Sequence, residues 1–260
     1  MYLLYPSDPY NKTAVDEAFA EEYAAVSTLG LPCSLFSFED FESNEFRAKP
    51  ALPTGSDVIY RGWMMTPDVY VRLVEAVTAK EAYLVTQADA YRECHYLPGW
   101  YSLCVDWTPE TIFADKGADF VKLVQGKQWP AYFVKDYVKS LTTQRGSVAE
   151  SPDGIAEVVT LIEQYRGSLE GGVCIRKFEE LLPETEERYF VLNGKPFSRN
   201  GTVPSLVHEV AKKISSPFFS VDTVMAKSGE LRLIELGDGQ VSDRKKWEPE
   251  QFAAILQSQS

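Results

Sequence analysis

Apolar positions along the chain fall into short runs separated by amphipathic stretches. Tyr2-Leu-Leu-Tyr5, closed by the turn-forming Pro6-Ser7-Asp8-Pro9, predicts a buried strand. Ala14 to Leu29 has helical composition, with apolar residues at 15, 18, 19, 23, 26 and 29 and Gly30 as its stop. Cys33–Phe38 and Asp57–Tyr60 read as further strands, and Thr66-Pro67 opens a helix running to about Ala79. Ala82–Thr86 is the fourth strand. This β-α-β-β-α-β alternation predicts an open α/β sheet with crossover helices.

The texture then changes. Ala131–Val138 predicts a strand running into the polar stretch Lys139–Ser147, and Ser151 leads a helix from about Pro152 to Tyr165. Val173–Phe178 and Arg188–Leu192 are strand-like, with Asn193-Gly194 a hairpin signal after the second. Pro204–Ile214 suits a helix. Phe218–Met225 and Glu230–Glu235 form two strands around Ala226-Lys-Ser-Gly229. The second half is therefore α+β with antiparallel pairs. A domain boundary is expected between about 105 and 130, where Thr108-Pro109 and Gly117 punctuate a less periodic stretch.

Composition narrows the class. The chain has 260 residues, of which 45% are hydrophobic and 25% charged, so it can bury a sizeable core, and disordered and collagen-like architectures are excluded. Its 26 Lys and Arg against 38 Asp and Glu give a net charge of −12, a field that repels DNA and anionic lipid. Any anionic ligand must therefore be gripped by a local basic cluster. No apolar run reaches the roughly 18–20 residues of a membrane span, and the start lacks the basic segment of a signal peptide. A cytoplasmic protein with no membrane partner is expected. Cys33, Cys94, Cys104 and Cys174 are widely spread and His95 and His208 are the only histidines, which suggests reduced thiols rather than a zinc site or disulfide framework.

Three groups of residues stand out chemically. Asp222 and Glu235 lie in apolar strands, 13 apart around a short turn. Carboxylates brought together on a sheet repel unless a cation such as Mg²⁺ sits between them, and solvent-facing strand acids are the alternative. Lys135 lies in Phe133-Val-Lys-Asp-Tyr-Val138, where a buried ammonium is costly. Were the strand to persist to 139, Lys135, Tyr137 and Lys139 would share a face and could grip phosphates; a solvated edge strand has the same letters. Ile175-Arg-Lys-Phe178 and Glu186-Glu-Arg188 complete the set, Glu186 and Arg188 projecting from one face either toward a triphosphate or as a surface ion pair.

Taken in order, a strand lysine, a Ser/Thr/Gly loop, a helix, an apolar strand ending in charges, E-x-R, a helix, and Asp and Glu on paired strands resemble the ATP-grasp superfamily. In particular the chain resembles its small divergent proteins of bacteria and phages, in the clade named for two arginines and one lysine. The resemblance covers about Ala131 to Gly239. Arg61-Gly-Trp63 and His95–Tyr101 also look like amino-terminal features of that group. It implies an open α/β pre-ATP-grasp domain over 1–115 and an ATP-grasp domain over 116–260, with antiparallel sheets holding nucleotide between them. Lys135 would then touch the α- and β-phosphates, under a closing loop from Lys139 to Ser147. Val173–Phe178 would be the hinge strand beside adenine, which puts Arg176, Lys177 and Phe178 at the nucleotide. Glu186 would lie near the ribose and Arg188 near the phosphates or acyl-phosphate. Asp222 and Glu235 would hold Mg²⁺. The usual E-x-N reads Glu235-Leu-Gly237 here, so Asp238 is the replacement ligand candidate. Lys116 and Lys122 are both candidates for the family's first ATP lysine, and Arg61 and His95 for the acceptor side.

The activity this resemblance implies is ATP-dependent joining of a carboxylate to an amine, or a thiol, through an acyl-phosphate, with ADP and phosphate released. The substrates would be small molecules or peptides. Arg188, Lys139 and Arg61 would serve the chemistry, which asks mainly for positioning and charge neutralisation. Two rivals remain. One is a nucleotidyl-transfer ligase using Lys135 as nucleophile, for which the Gly expected after Asp136 is Tyr137. The other is an ATP-binding regulatory or interaction protein with a degenerate site.

Overall fold

Hydrophobic strands at the amino terminus pair as the pattern predicts. In the computed structural model, which describes residues 1–141 and 146–258, the first elements are β1 (Tyr2–Pro6), α1 (Ala20–Thr28), β2 (Cys33–Phe36), α2 (Phe38–Glu42), β3 (Asp57–Tyr60), α3 (Pro67–Thr78), β4 (Tyr83–Leu84), α4 (Ala88–His95) and α5 (Leu97–Tyr101). There follow β5 (Thr111–Ala114), α6 (Phe120–Leu123), β6 (Tyr132–Asp136), β7 (Val148–Ala149), α7 (Gly154–Arg166), β8 (Val173–Lys177) and β9 (Leu181–Leu192). The chain ends with β10 (Lys195–Phe197), α8 (Ser205–Lys213), β11 (Phe218–Ala226), β12 (Leu231–Asp238) and α9 (Pro249–Gln257).

These elements form two compact units. Unit 1 comprises Met1–Arg92, Arg188–Val221 and Gly237–Ser260; unit 2 comprises Glu93–Glu187 and Asp222–Leu236. The divisions fall inside β9, β11 and β12.

Unit 1 is built on the parallel sheet β2-β1-β3-β4, with Leu3 opposite both Cys33 and Ile59. Alternate residues point to opposite faces, and both faces are covered, which is why the strands read as continuous apolar runs. Leu3, Tyr5 and Ile59 pack with Phe190, Phe218 and Phe252, whereas Leu4, Val58 and Tyr60 pack with Tyr70, Leu73 and Val77. Asn193 and Gly194 both take positive φ, +50 and +73, forming the turn from β9 to β10 that their sequence predicts.

Unit 2 carries the antiparallel sheet β5-β8-β6-β7. Val134, Val173 and Ile175 pack under α7 through Ile155, Val158 and Ile162. Two expectations change here. β6 ends at Asp136 rather than continuing to 139, because Asp136 folds the chain back and Lys135 bridges to Ser140. β9 starts at Leu181, well before Arg188, and its acidic first half is partly exposed, so no apolar periodicity announced it. Among the described residues no helix is long and apolar enough to cross a membrane.

Candidate functional site

A cavity of about 520 Å³ opens in unit 2, within the size range of small-molecule sites. Period-two alternation aims Phe133 and Lys135 of β6 into it, while Val134 between them joins the core. Arg176 and Lys177 close β8 at its wall; Phe178, Glu179 and Glu180 link β8 to β9, whose Leu181, Pro183 and Glu186 continue the lining. Ile234 and Glu235 of β12, with Ser140, Val148, Pro109 and Lys227, complete it. The result is an apolar-walled slot with charged groups at fixed points.

Its cations are held from below. Lys135 is buried, its Nζ donates to the Val138 carbonyl at 2.9 Å, and it lies 4.0 Å from Glu235 Oε1. Both contacts offset the cost of burying an ammonium. Arg176 stands opposite Phe133 on one side and Thr111 on the other, and is 4% exposed. Its Nη1 donates to the Ile234 carbonyl at 3.0 Å and its Nη2 to Thr108 Oγ1 at 2.6 Å, and Thr108 in turn donates to the Leu233 carbonyl at 2.8 Å. Burial pushes the Arg176 pKa down to about 10, and its Nε has no partner among the described residues. A cationic donor left unsatisfied beside a cavity is suited to an anionic ligand.

The linker between β8 and β9 is clamped from the β11–β12 hairpin. Arg232 grips Glu179 bidentately, at 2.8 and 2.9 Å. Lys227 pairs with the Glu180 carboxylate at 3.1 Å, and its own N–H donates to the Glu180 carbonyl at 2.8 Å. Sequence reasoning missed both clamps and Thr108; an arginine between Leu231 and Leu233 was the available signal, since a buried guanidinium demands a partner.

Of the site residues expected from sequence, Lys135, Arg176, Lys177, Phe178, Glu186 and Glu235 line this one cavity. The others do not. Lys139 is exposed just after the turn that ends β6, and residues 142–145 of its expected loop lie outside the described residues. Lys116 pairs with Glu163, and neither it nor Lys122 lines the cavity. His95 is buried in unit 2, 3.9 Å from Glu170, with its pKa pushed down to about 4 by burial and then by Lys139 and Lys135. Arg188 belongs to unit 1, where its Nη1 donates to the carbonyl and Oδ1 of Asp243, each at 2.9 Å.

Arg61 departs furthest from its acceptor-side expectation. Its Nε and Nη2 donate to Glu22 at 2.7 Å each, and its Nη1 donates to the carbonyls of Gly239 and Ser242. The guanidinium also stacks on Phe252, 4.5 Å from the ring centroid. With 2% exposure it is a buried staple of unit 1.

The expected carboxylate trio does not assemble: among the described residues no group of three or more His, Cys, Asp or Glu is placed to hold a metal. Glu235 is at the cavity and Asp222 is buried in β11. Asp238 is buried in unit 1, where its Oδ1 accepts from the backbone N–H and Nε2 of Gln240; burial raises its pKa to about 7. The asparagine missing at position 237 has a local cause. A Cβ on Gly237 would stand 2.7 Å from Ser242 Oγ and 2.9 Å from Ser220 Oγ, two hydroxyls that are 2.8 Å apart.

Compared with known families, residues 112–256 match the model of an ATP-grasp domain, family 3 of the clade named for two arginines and one lysine. No curated protein matches the chain. Among solved structures it is similar to the D-cycloserine synthetase DcsG, at 13% identity and a TM-score of 0.64, over 100% of this chain and 99% of that one. It is similar to the ATP-grasp ligase PsnB complexed with minimal precursor, Mg and ADP, at 10% identity and a TM-score of 0.63, over 99% and 97% of the two chains. The macrocyclase MdnC bound with precursor peptide MdnA, from Microcystis aeruginosa MRC, aligns at 11% identity and a TM-score of 0.60, over 99% and 100%. At such identities the likeness is one of fold.

Proposed function

The chain belongs to the arginine-arginine-lysine clade of the ATP-grasp domain family, and from that premise we propose that it is an ATP-dependent ligase that joins a carboxylate to an amine or thiol through an acyl-phosphate. The observation that carries this reading is the convergence of Lys135, Arg176 and Glu235 on one apolar-walled cavity. The base would lie against Phe178, Leu181 and Ile234 beside the clamped linker, Glu186 would meet the ribose, and Lys135 with Arg176 Nε would receive the phosphates. Lys177, Lys139 and Arg188 are the further cations assigned to nucleotide and acyl-phosphate.

Glu235 fits a magnesium ion, because Mg²⁺ is commonly bound through one or two carboxylates with phosphate and water completing the shell. Asp222, on the neighbouring strand of the same sheet, is the second assigned ligand. Asp238 is the third assigned candidate; its Oδ1 accepts from Gln240 and its buried Oδ2 has no partner among the described residues. Magnesium, when bound, would neutralise phosphate charge. The protein's own work is to hold the γ-phosphate in line with an incoming carboxylate and to stabilise the developing charge with fixed cations. Attack by the carboxylate on phosphorus expels ADP; attack by the nucleophile on the acyl carbon then expels phosphate. The cycloserine synthetase acts, by its name, toward a small molecule, and PsnB and MdnC are complexed with precursor peptides; a small-molecule or peptide carboxylate is the substrate class we assign.

The test is product analysis with a panel of acids and amines. ADP and phosphate appearing together support the proposal, and AMP with pyrophosphate would sink it. A second reading, a nucleotide-binding protein without turnover, draws on Gly237, which stands where the family's E-x-N has its asparagine ligand. Tight ATP binding with no ADP release across the panel would favour it.

A further inference from the structure

Behind the cavity, one carboxylate organises the chain around Lys135. Asp136 is fully buried at the end of β6. Its Oδ1 accepts from the N–H of Val138 at 2.8 Å and of Lys139 at 2.6 Å. The Asp136 N–H donates to the Lys139 carbonyl at 3.1 Å, so residues 136–139 form a closed turn around this side chain. Its other oxygen accepts from Arg166 at the end of α7 and from the Glu170 N–H at 3.2 Å. Beyond the turn, Tyr137 packs on Gly171 and Gly172, where a Cβ would have no room.

The consequence concerns the lysine. Lys135 Nζ is anchored on the Val138 carbonyl at 2.9 Å, and that carbonyl is set by the turn. Asp136 points away from the cavity that Lys135 lines, as successive strand residues must, and is absent from its lining. It thus acts on the site only through what it holds.

We propose that Asp136 is a positioning residue for phosphate recognition: by closing the 136–139 turn it presets the ammonium of Lys135 toward the triphosphate. This rests on the nucleotide reading above, and it predicts a selective defect. Loss of the turn weakens binding of the phosphates and spares binding of the nucleoside, whereas general destabilisation reduces both alike.

The experiment is calorimetric titration of the full chain with ATP and, separately, adenosine, in magnesium buffer. Asp136→Ala removes the acceptor, and Asp136→Glu keeps a carboxylate for Arg166 while displacing it from the turn, so that the second variant serves if the first does not fold. Either folded variant should lose at least about tenfold in ATP affinity, with adenosine affinity held within about twofold. Arg166→Gln, which cuts the other half of the network, should lower the melting temperature and leave the ATP-to-adenosine ratio unchanged. An unchanged ratio in a folded Asp136 variant, or an equal fall of the ratio in Arg166→Gln, overturns the positioning role. A wild-type chain that binds neither ligand overturns the nucleotide reading itself.

Discussion

Replacing Glu22 by alanine strips the partner from a guanidinium that has no access to water. Arg61 and Glu22 side chains are 2% and 3% exposed, so their interaction is not screened by solvent. Two of the four hydrogen bonds made by the Arg61 guanidinium among the described residues end on Glu22, and the Tyr5 hydroxyl also donates to that carboxylate at 2.9 Å. Breaking a buried pair from one side leaves an uncompensated charge and costs about 3–5 kcal/mol. At about 2–4 °C per kcal/mol for a chain of this size, the melting temperature should fall by roughly 6–20 °C. Arg61→Met should cost as much, but Glu22→Leu with Arg61→Met should recover most of the loss, because no charge then remains in the core. Thermal denaturation of the wild type, Glu22→Leu, Arg61→Met and the double variant supplies the cycle, with Glu22→Ala measured beside it, and ADP release at a temperature where all are folded supplies the control. A Glu22→Ala protein melting within about 1 °C of wild type would refute the staple argument. So would an Arg61→Met protein that is fully stable yet inactive, which would return Arg61 to the acceptor side.

Other outcomes follow from the same geometry. Lys135→Met should reduce ATP-dependent turnover by about 10²–10³ without loss of the fold, read by ADP release alongside circular dichroism, since a fixed charge on the transferring group would be gone. Gly237→Asn, which restores the letters of the common E-x-N, should not raise activity and should cost about 1–3 kcal/mol in urea unfolding, because its side chain must displace the Ser220 and Ser242 hydroxyls. The His95 pKa falls on folding from its ordinary 6.5 to about 4, so the unfolded chain binds the proton more readily within that window. This contribution is complete above pH 6.5 and is lost as pH falls toward 4, by at most about 3 kcal/mol. Urea midpoints at pH 7 and pH 5 should differ less in His95→Gln than in wild type; an equal drop in both would remove His95 as its cause.

Much of this protein was fixed locally. Short continuous apolar runs, Asn193-Gly194 and Pro67 at a helix start determined the parallel sheet, the hairpin and α3, because each depends on neighbours within a few residues. Lys135 and Glu235 were legible for a related reason: charges inside otherwise apolar strands are costly unless a site requires them, whereas Arg176, Lys177, Phe178 and Glu186 came from the family resemblance. Arg61 was placed on the acceptor side by its resemblance to an amino-terminal feature of the family, and the partner that the structure gives it, Glu22, lies 39 residues away. Strand length misled at Lys139, where the Asp136 side chain, and no break in the apolar pattern, ended β6. Only the tertiary structure decided that β9, β11 and β12 each divide between two units, that Arg232 and Lys227 clamp the linker, and that a side chain at 237 would crowd the Ser220 and Ser242 hydroxyls. Those are long-range pairings of surfaces, and a single sequence records the residues that make them without recording which of them meet.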